Sequence, residues 1–255
     1  MKSTLKRNCL SFAILSILFN IAWPLSHGDA RAVITVIGVL SFTAVSAIHC
    51  WVNFGRSITV RLIASVLALT FVVEFIGVHS GALFGHYAYG STLGPVIGGV
   101  PILIPLAWFM MIYPCALAAS YLAETTVMKV SIVAALMTGW DFYLDPQMTN
   151  ENYWAWNHSG FEVNAIPLHN YAGWFITSAL IGWIALRILA AGKPQWNNTI
   201  PFIMLMWTWL GGALAHAVWF SPFLNRPHVA LAGFAAMGTV MVPLNLKIQK
   251  ARSHA

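Results

Sequence analysis

The chain has 255 residues, 59% of them hydrophobic and 8% charged, with a formal net charge of +6. A soluble domain carries about 25% charged residues, so the composition excludes one and reads as a single integral membrane domain over residues 1–255. The positive balance is not a nucleic-acid signal, because the basic residues are scattered along the chain rather than gathered into a patch.

Lys2, Lys6 and Arg7 precede an apolar run from Cys9 to Leu25. This is either a signal peptide, with Gly28-Asp29-Ala30 as a small-residue cleavage site, or an uncleaved first helix. The topology below closes with the uncleaved helix. Further spans are expected at 32–52, 61–78, 100–122, 130–144, 171–191, 201–220 and 228–246. Each is close to the ~20 residues that cross ~30 Å of hydrocarbon. A backbone in lipid must satisfy its own hydrogen bonds, so the spans are helices. The expected fold class is therefore an all-α polytopic bundle of eight transmembrane helices, or seven if the first is removed.

Placing the loops on alternating sides puts Lys2, Lys6, Arg7, Arg56, Arg61, Lys129, Arg187, Lys193, Lys247, Lys250 and Arg252 on one side, with only Arg31 and Arg226 on the other. The positive-inside rule then makes both termini of a multi-pass cell-membrane protein cytoplasmic. The loops 79–99 and 145–170, which lack Lys and Arg, fall together on the opposite side. They carry His79, His86, His158, His169, Asp145, Glu151 and Glu162, while Glu74 and Asp141 lie just inside the membrane at the same face.

An ionisable group inside a spanning helix is expensive and normally functional. Glu74, in Phe71-Val72-Val73-Glu74-Phe75-Ile76, is either a buried general acid or the partner of a buried cation that fixes helix packing. Asp141 and Asp145 are four residues apart and share one helix face if the helix extends that far. Two such acids repel as anions, which keeps one of them protonated. Pro146 is expected to stop this helix just after Asp145, and Asp145 alternatively only caps the next turn.

Tyr87, Tyr89, Trp108, Trp140, Tyr143, Tyr153, Trp154, Trp156, Tyr171 and Trp174 form either an interfacial aromatic belt or a wall for a polyene whose π faces stabilise positive charge. Both readings can hold together. His49 and His216 lie within helices and read as packing or interfacial residues. Gly77, Gly81 and Gly85 read as a close-packing seam or as turns.

Several motifs are absent. The histidines have no HxxH, HxxxH or HExxH spacing, and Cys9, Cys50 and Cys115 have no CxxC pairing, so no metal site and no disulfide framework is expected. There is no GxGxxG, P-loop or GxSxG. There is no aspartate-rich pair of the kind that binds a prenyl diphosphate through magnesium, and no Lys in the seventh span for a retinal Schiff base. The expected chemistry uses no cofactor.

Glu74-x-x-Gly77, Phe84-Gly85-His86-Tyr87-Ala88-Tyr89, Gly99-Val100-Pro101 and Pro105-x-Ala107-Trp108 resemble the carotenoid biosynthesis protein family of membrane carotenoid 1,2-hydratases. So do Trp140-Asp141-Phe142-Tyr143-Leu144-Asp145-Pro146-Gln147-Met148, Trp154-x-Trp156 and Pro167-x-x-Asn170-Tyr171-x-Gly173-Trp174. The resemblance is dense from residue 71 to 176. It implies addition of water across the terminal carbon–carbon double bond of an acyclic carotenoid end, giving a tertiary alcohol. The implied substrates are lycopene-like or γ-carotene-like ends and C50 bacterioruberin precursors. Other carotenoid-pathway enzymes are implied partners beside the lipid bilayer.

Hydrating a trisubstituted alkene needs a positioned proton donor and a base for the water, but no redox cofactor. Asp141 or Glu74 is expected as the acid, with Asp145 orienting or deprotonating water. His86, Tyr87, Tyr89, Trp108, Trp140, Trp154, Trp156, His169, Asn170, Tyr171 and Trp174 are expected to bind substrate. Three other readings remain open: a cofactorless cyclase that captures the same cation internally, a carotenoid-binding protein without catalysis, and a metal-dependent hydroxylase.

Overall fold

The computed structural model describes residues 2–157, 161–164, 166–220 and 227–253. His158 and Arg226 lie outside them. Eight helices among the described residues are long and apolar enough to cross a membrane: α1 (Lys2–Ala22), α2 (Gly28–Phe54), α3 (Arg56–Ser80), α4 (Leu103–Leu122), α5 (Thr126–Asn150), α6 (Leu168–Leu189), α7 (Thr199–Trp219) and α8 (Pro227–Ser253). The chain is an all-α polytopic membrane bundle.

α4 is its centre. Of the α4 span 89% is buried, against 22–50% in the other seven, because α4 is apolar all round and packs on α2, α3, α5 and α6. The outer helices keep exposed apolar side chains, among them Val72, Phe75 and Ile76 on α3 and Leu180 and Trp183 on α6. Such faces suit hydrocarbon and would be costly in water.

The expected charge segregation has a structural counterpart. The Lys2 ammonium donates to the Gln195 side-chain oxygen at 2.6 Å, Lys6 lies 5.2 Å from the Trp196 ring centre, and Lys247 donates to the Tyr121 carbonyl. The first two contacts join the start of α1 to the α6–α7 linker, and the third joins α8 to the end of α4, whose Tyr121 meets Phe202 near the start of α7, so these parts lie at one end of the bundle. At the other end the two loops without Lys or Arg meet. β1 (Tyr87–Tyr89) pairs antiparallel with β4 (Trp154–Trp156), setting Tyr87 opposite Trp156 and Tyr89 opposite Trp154. Two short hairpins flank this ribbon: β2 (Val96–Ile97) with β3 (Val100–Pro101), and β5 (Glu162–Val163) with β6 (Ile166–Pro167). Gly98 and Gly99 turn the first hairpin at φ 54 and 81, the left-handed values that a two-residue turn demands and glycine accepts.

One expectation is corrected. Pro146 does not stop α5, which runs on to Asn150. Proline removes the hydrogen bond to the carbonyl four residues back. Burial of Met148 and Pro146 against the bundle offsets that loss, and the Glu151 N–H caps Gln147. Asp141 and Asp145 are therefore held one turn apart on continuous helix. Gly77, Gly81 and Gly85 divide between the expected roles: Gly77 lies under the Tyr87 ring within α3, whereas Gly81 and Gly85 take positive φ in the turns that follow.

Candidate active site

Asp141 and Asp145 project from α5 toward α6, where Asn170 stands in the first turn. The Asn170 amide nitrogen donates to Asp145 Oδ2 at 2.6 Å and to Asp141 Oδ2 at 3.0 Å. Trp154, carried in by β4, donates its indole N–H to Asp145 Oδ1 at 3.1 Å. One amide nitrogen thus bridges an oxygen of each carboxyl and holds the two acids side by side, an arrangement in which two anions would repel. No salt bridge reaches them among the described residues. All three side chains, Asp141, Asp145 and Asn170, are at most 2% exposed.

Glu74 is built differently. Its Oε2 accepts from the hydroxyls of Tyr87 at 2.6 Å and Tyr89 at 2.7 Å, and its Oε1 accepts from the Trp108 indole N–H at 3.1 Å. Three donors around one carboxyl match a carboxylate anion and leave a lone pair on Oε1 unused. Burial, then the charge of Glu74, push the Tyr87 and Tyr89 hydroxyls well above the ordinary tyrosine range, so both stay protonated donors. Tyr87 reaches Glu74 because Gly77 leaves room: a Cβ there would lie 2.9 Å from the Tyr87 hydroxyl.

The two acid groups belong to one cavity of ≈ 200 Å³. Glu74, Asp145 and Asn170 line it, with Tyr87, Tyr89, Trp108, Trp140, Trp154, Trp156 and Trp174. Trp108 and Trp174 stack at 4.4 Å, and Trp140 meets Trp174 edge-on at 5.9 Å. Tyr89 and Trp154 meet edge-on at 5.6 Å across the ribbon. The remaining wall is mostly apolar, with Phe19, Trp23 and Phe42 from α1, its turn and α2, Met110 and Met111 from α4, and Trp207, Gly211 and Gly212 from α7, and it also carries Asn20, Thr35, Gln147, Thr208 and His216.

The structure therefore gathers ten of the expected residues around one space, and Asp141 directly behind them on Asp145. It does not bring in the other three. His86 and His169 are exposed and outside the cavity wall. Tyr171 is buried but stacks on Phe142 at 4.3 Å, with its hydroxyl donating to the Val163 carbonyl. Among the described residues no three His, Cys, Asp or Glu side chains converge as metal ligands.

Two groups of wall residues were missed. Those of α1 and α2 are mostly apolar and indistinguishable in sequence from lipid-facing neighbours, the exceptions being Asn20 and Thr35. α7 offers a signal, Gly211-Gly212 in mid-span, where the helix widens into five-residue turns at Trp207–Gly211 and Ala215–Trp219. Such wide turns recur at functional sites, and they turn His216, expected to be a packing or interfacial residue, onto the cavity wall.

Comparison with known proteins adds an independent line. Bisanhydrobacterioruberin hydratase of Haloarcula japonica is 31% identical to this chain over 125 residues. The match covers 46% of this chain and 42% of that protein, so the chain spans under half of the relative's length. No solved structure matches. The sequence profile described as carotenoid biosynthesis protein matches residues 33–243, from the start of α2 into α8, and so takes in every helix that lines the acid-bearing cavity except α1. With a match over most of its length, this membrane bundle belongs to the carotenoid biosynthesis protein family.

Proposed function

We propose that the chain is a carotenoid hydratase, a lyase in class, adding water across the terminal double bond of an acyclic carotenoid end. The observation that carries this reading is the pairing of an Asn170-bridged Asp141–Asp145 pair, which in this reading holds one proton between its two carboxyls, with a donor-solvated Glu74 in one aromatic cavity. A hydratase among its relatives supports it.

Asp145, at the wall, delivers the shared proton to the less substituted alkene carbon, and Asp141 behind it supplies that proton. The resulting tertiary cation lies among Trp140, Trp154, Trp156 and Trp174, whose π faces stabilise positive charge, and opposite the anionic Glu74. Water adds to the cation and gives its proton to the free lone pair of Glu74 Oε1. Transfer of that proton back to the aspartate pair through cavity water restores the resting state. These roles depart from the sequence expectation, which had Asp141 or Glu74 as acid and Asp145 at the water. The reason is that Asp145, not Asp141, lines the cavity. Charge counting supports placing the termini in the cytoplasm and the site toward the outer face.

The experiment is expression in bacterial hosts that accumulate lycopene or a C50 bacterioruberin precursor, with pigment chromatography and mass detection in normal and oxygen-18 water. A product heavier by one water, labelled from solvent, is expected in at least one host. A product of unchanged mass and shifted retention would instead make the enzyme a cyclase. Pigment recovered unchanged with the protein from both hosts would make it a carotenoid-binding protein.

A further inference from the structure

His216 is the one cavity-lining side chain with a side-chain nitrogen or oxygen that is buried and without a hydrogen-bond partner among the described residues. The residue is 2% exposed. Its Nδ1 lies 2.9 Å from the Gly212 carbonyl, which only accepts, so Nδ1 holds the ring's proton and Nε2 carries a lone pair. Nε2 has no partner. The ring's other polar neighbour is the Tyr143 carbonyl, which is an acceptor too. No carboxylate pairs with His216 among the described residues to favour an imidazolium.

The ring is held firmly. It stacks on Tyr143 at 5.3 Å and meets Phe220 edge-on at 4.8 Å. Tyr143 is itself fixed by donating to the Trp209 carbonyl at 3.1 Å. A buried acceptor left unmade is costly, and buried polar groups that lack a protein partner are commonly completed by water or ligand. His216 sits on a wide helical turn, a feature frequent at functional sites.

We propose that His216 Nε2 is a second polar subsite of the cavity, accepting a hydrogen bond from an O–H group on the end of the isoprenoid chain or from a water beside it. The subsite would orient a hydroxylated end group on the α7 side of the cavity, where Trp207, Gly211 and Gly212 supply an apolar surround. The inference rests on the carotenoid reading of the cavity but not on turnover.

Two variants separate the contributions of the ring. His216→Phe keeps the stacking and removes the acceptor, and His216→Gln restores an acceptor near the Nε2 position. Binding of lycopene and of 1-hydroxylycopene to each purified protein in detergent is read by tryptophan quenching, and turnover is read separately. If the donor is the pigment hydroxyl, His216→Phe weakens 1-hydroxylycopene by about tenfold, leaves lycopene unchanged, and His216→Gln recovers most of the loss. If the donor is water, both pigments bind as before and lycopene turnover falls in the Phe variant alone. Equal losses in the Phe and Gln variants, or no loss in either assay, would overturn the subsite. A protein that binds pigment with this preference yet hydrates nothing would retain the subsite and lose the hydratase assignment.

Discussion

Trp154 donates its indole N–H to Asp145 Oδ1 at 3.1 Å, which bonds the loop covering the cavity to the acid beneath it. The contact gives Trp154 two separable functions. Its ring faces the cavity, and its N–H orients the carboxyl so that Oδ2 meets Asn170. Trp154→Phe keeps most of the ring and loses the donor. Turnover should fall roughly ten- to a hundredfold, the worth of about one hydrogen bond to a charged group, while pigment binding stays close to normal. Equal loss of binding and turnover would mean that the ring alone matters.

Removing the proposed proton donor should be more severe. Asp145→Asn keeps the shape and abolishes delivery of the proton, and general acids contribute roughly 10²–10⁴ in rate. Asp141→Asn should cost less than Asp145→Asn, because Asp141 acts through its neighbour. The reverse order, measured on variants that insert normally into the membrane, would return the acid role to Asp141.

Glu74→Gln tests the anion. The glutamine oxygen can replace Oε2 before Tyr87 and Tyr89, but its amide then points a donor at the Trp108 N–H. An unmade buried hydrogen bond costs about 1–3 kcal/mol. Thermal unfolding in detergent should shift downward, and turnover should fall with it. Unchanged stability with normal activity would show that Glu74 is neutral and is not the base.

The tyrosines predict an alkaline limit. Tyr87 and Tyr89 have hydroxyls raised from the ordinary value of 10.0 by burial and by Glu74. The unfolded chain loses these protons as pH passes about 10, while the folded protein keeps them. Their contribution to stability is therefore complete below pH 10 and declines above it. Absorbance at 295 nm during an alkaline titration should show Tyr87 and Tyr89 among the buried tyrosines that ionise only as the fold opens. Smooth ionisation of all seven tyrosines without unfolding would contradict the buried Glu74 cluster.

Gly173→Ala tests the packing that brings α6 to the loop after α3. An added Cβ would collide with the Leu83 carbonyl and lie 2.9 Å from the Phe84 ring. Backbone cannot yield as a flexible side chain does, so about 1–3 kcal/mol of overpacking is expected, with displacement of Asn170 one turn earlier. Normal stability and normal turnover would show that the loop seats elsewhere.

How much of this was legible beforehand differs by level. Composition, span length and the lopsided Lys and Arg distribution were enough for eight spans, because a helix in lipid is dictated by local hydropathy and by its own backbone hydrogen bonds. Glu74, Asp141 and Asp145 stood out for the same reason: a carboxyl in an apolar run has no local explanation. Tertiary structure decided which acid meets the cavity, since Asp141 and Asp145 share a face and only the position of α6 and β4 tells the wall from the layer behind. It kept α5 helical past Pro146 through packing that no local propensity reports. It left His86 and His169 outside and turned His216 in, because where a histidine points depends on helix rotation and on the wide turns of α7. Motifs show which residues are chemically unusual, whereas long-range packing chooses which of them share a space.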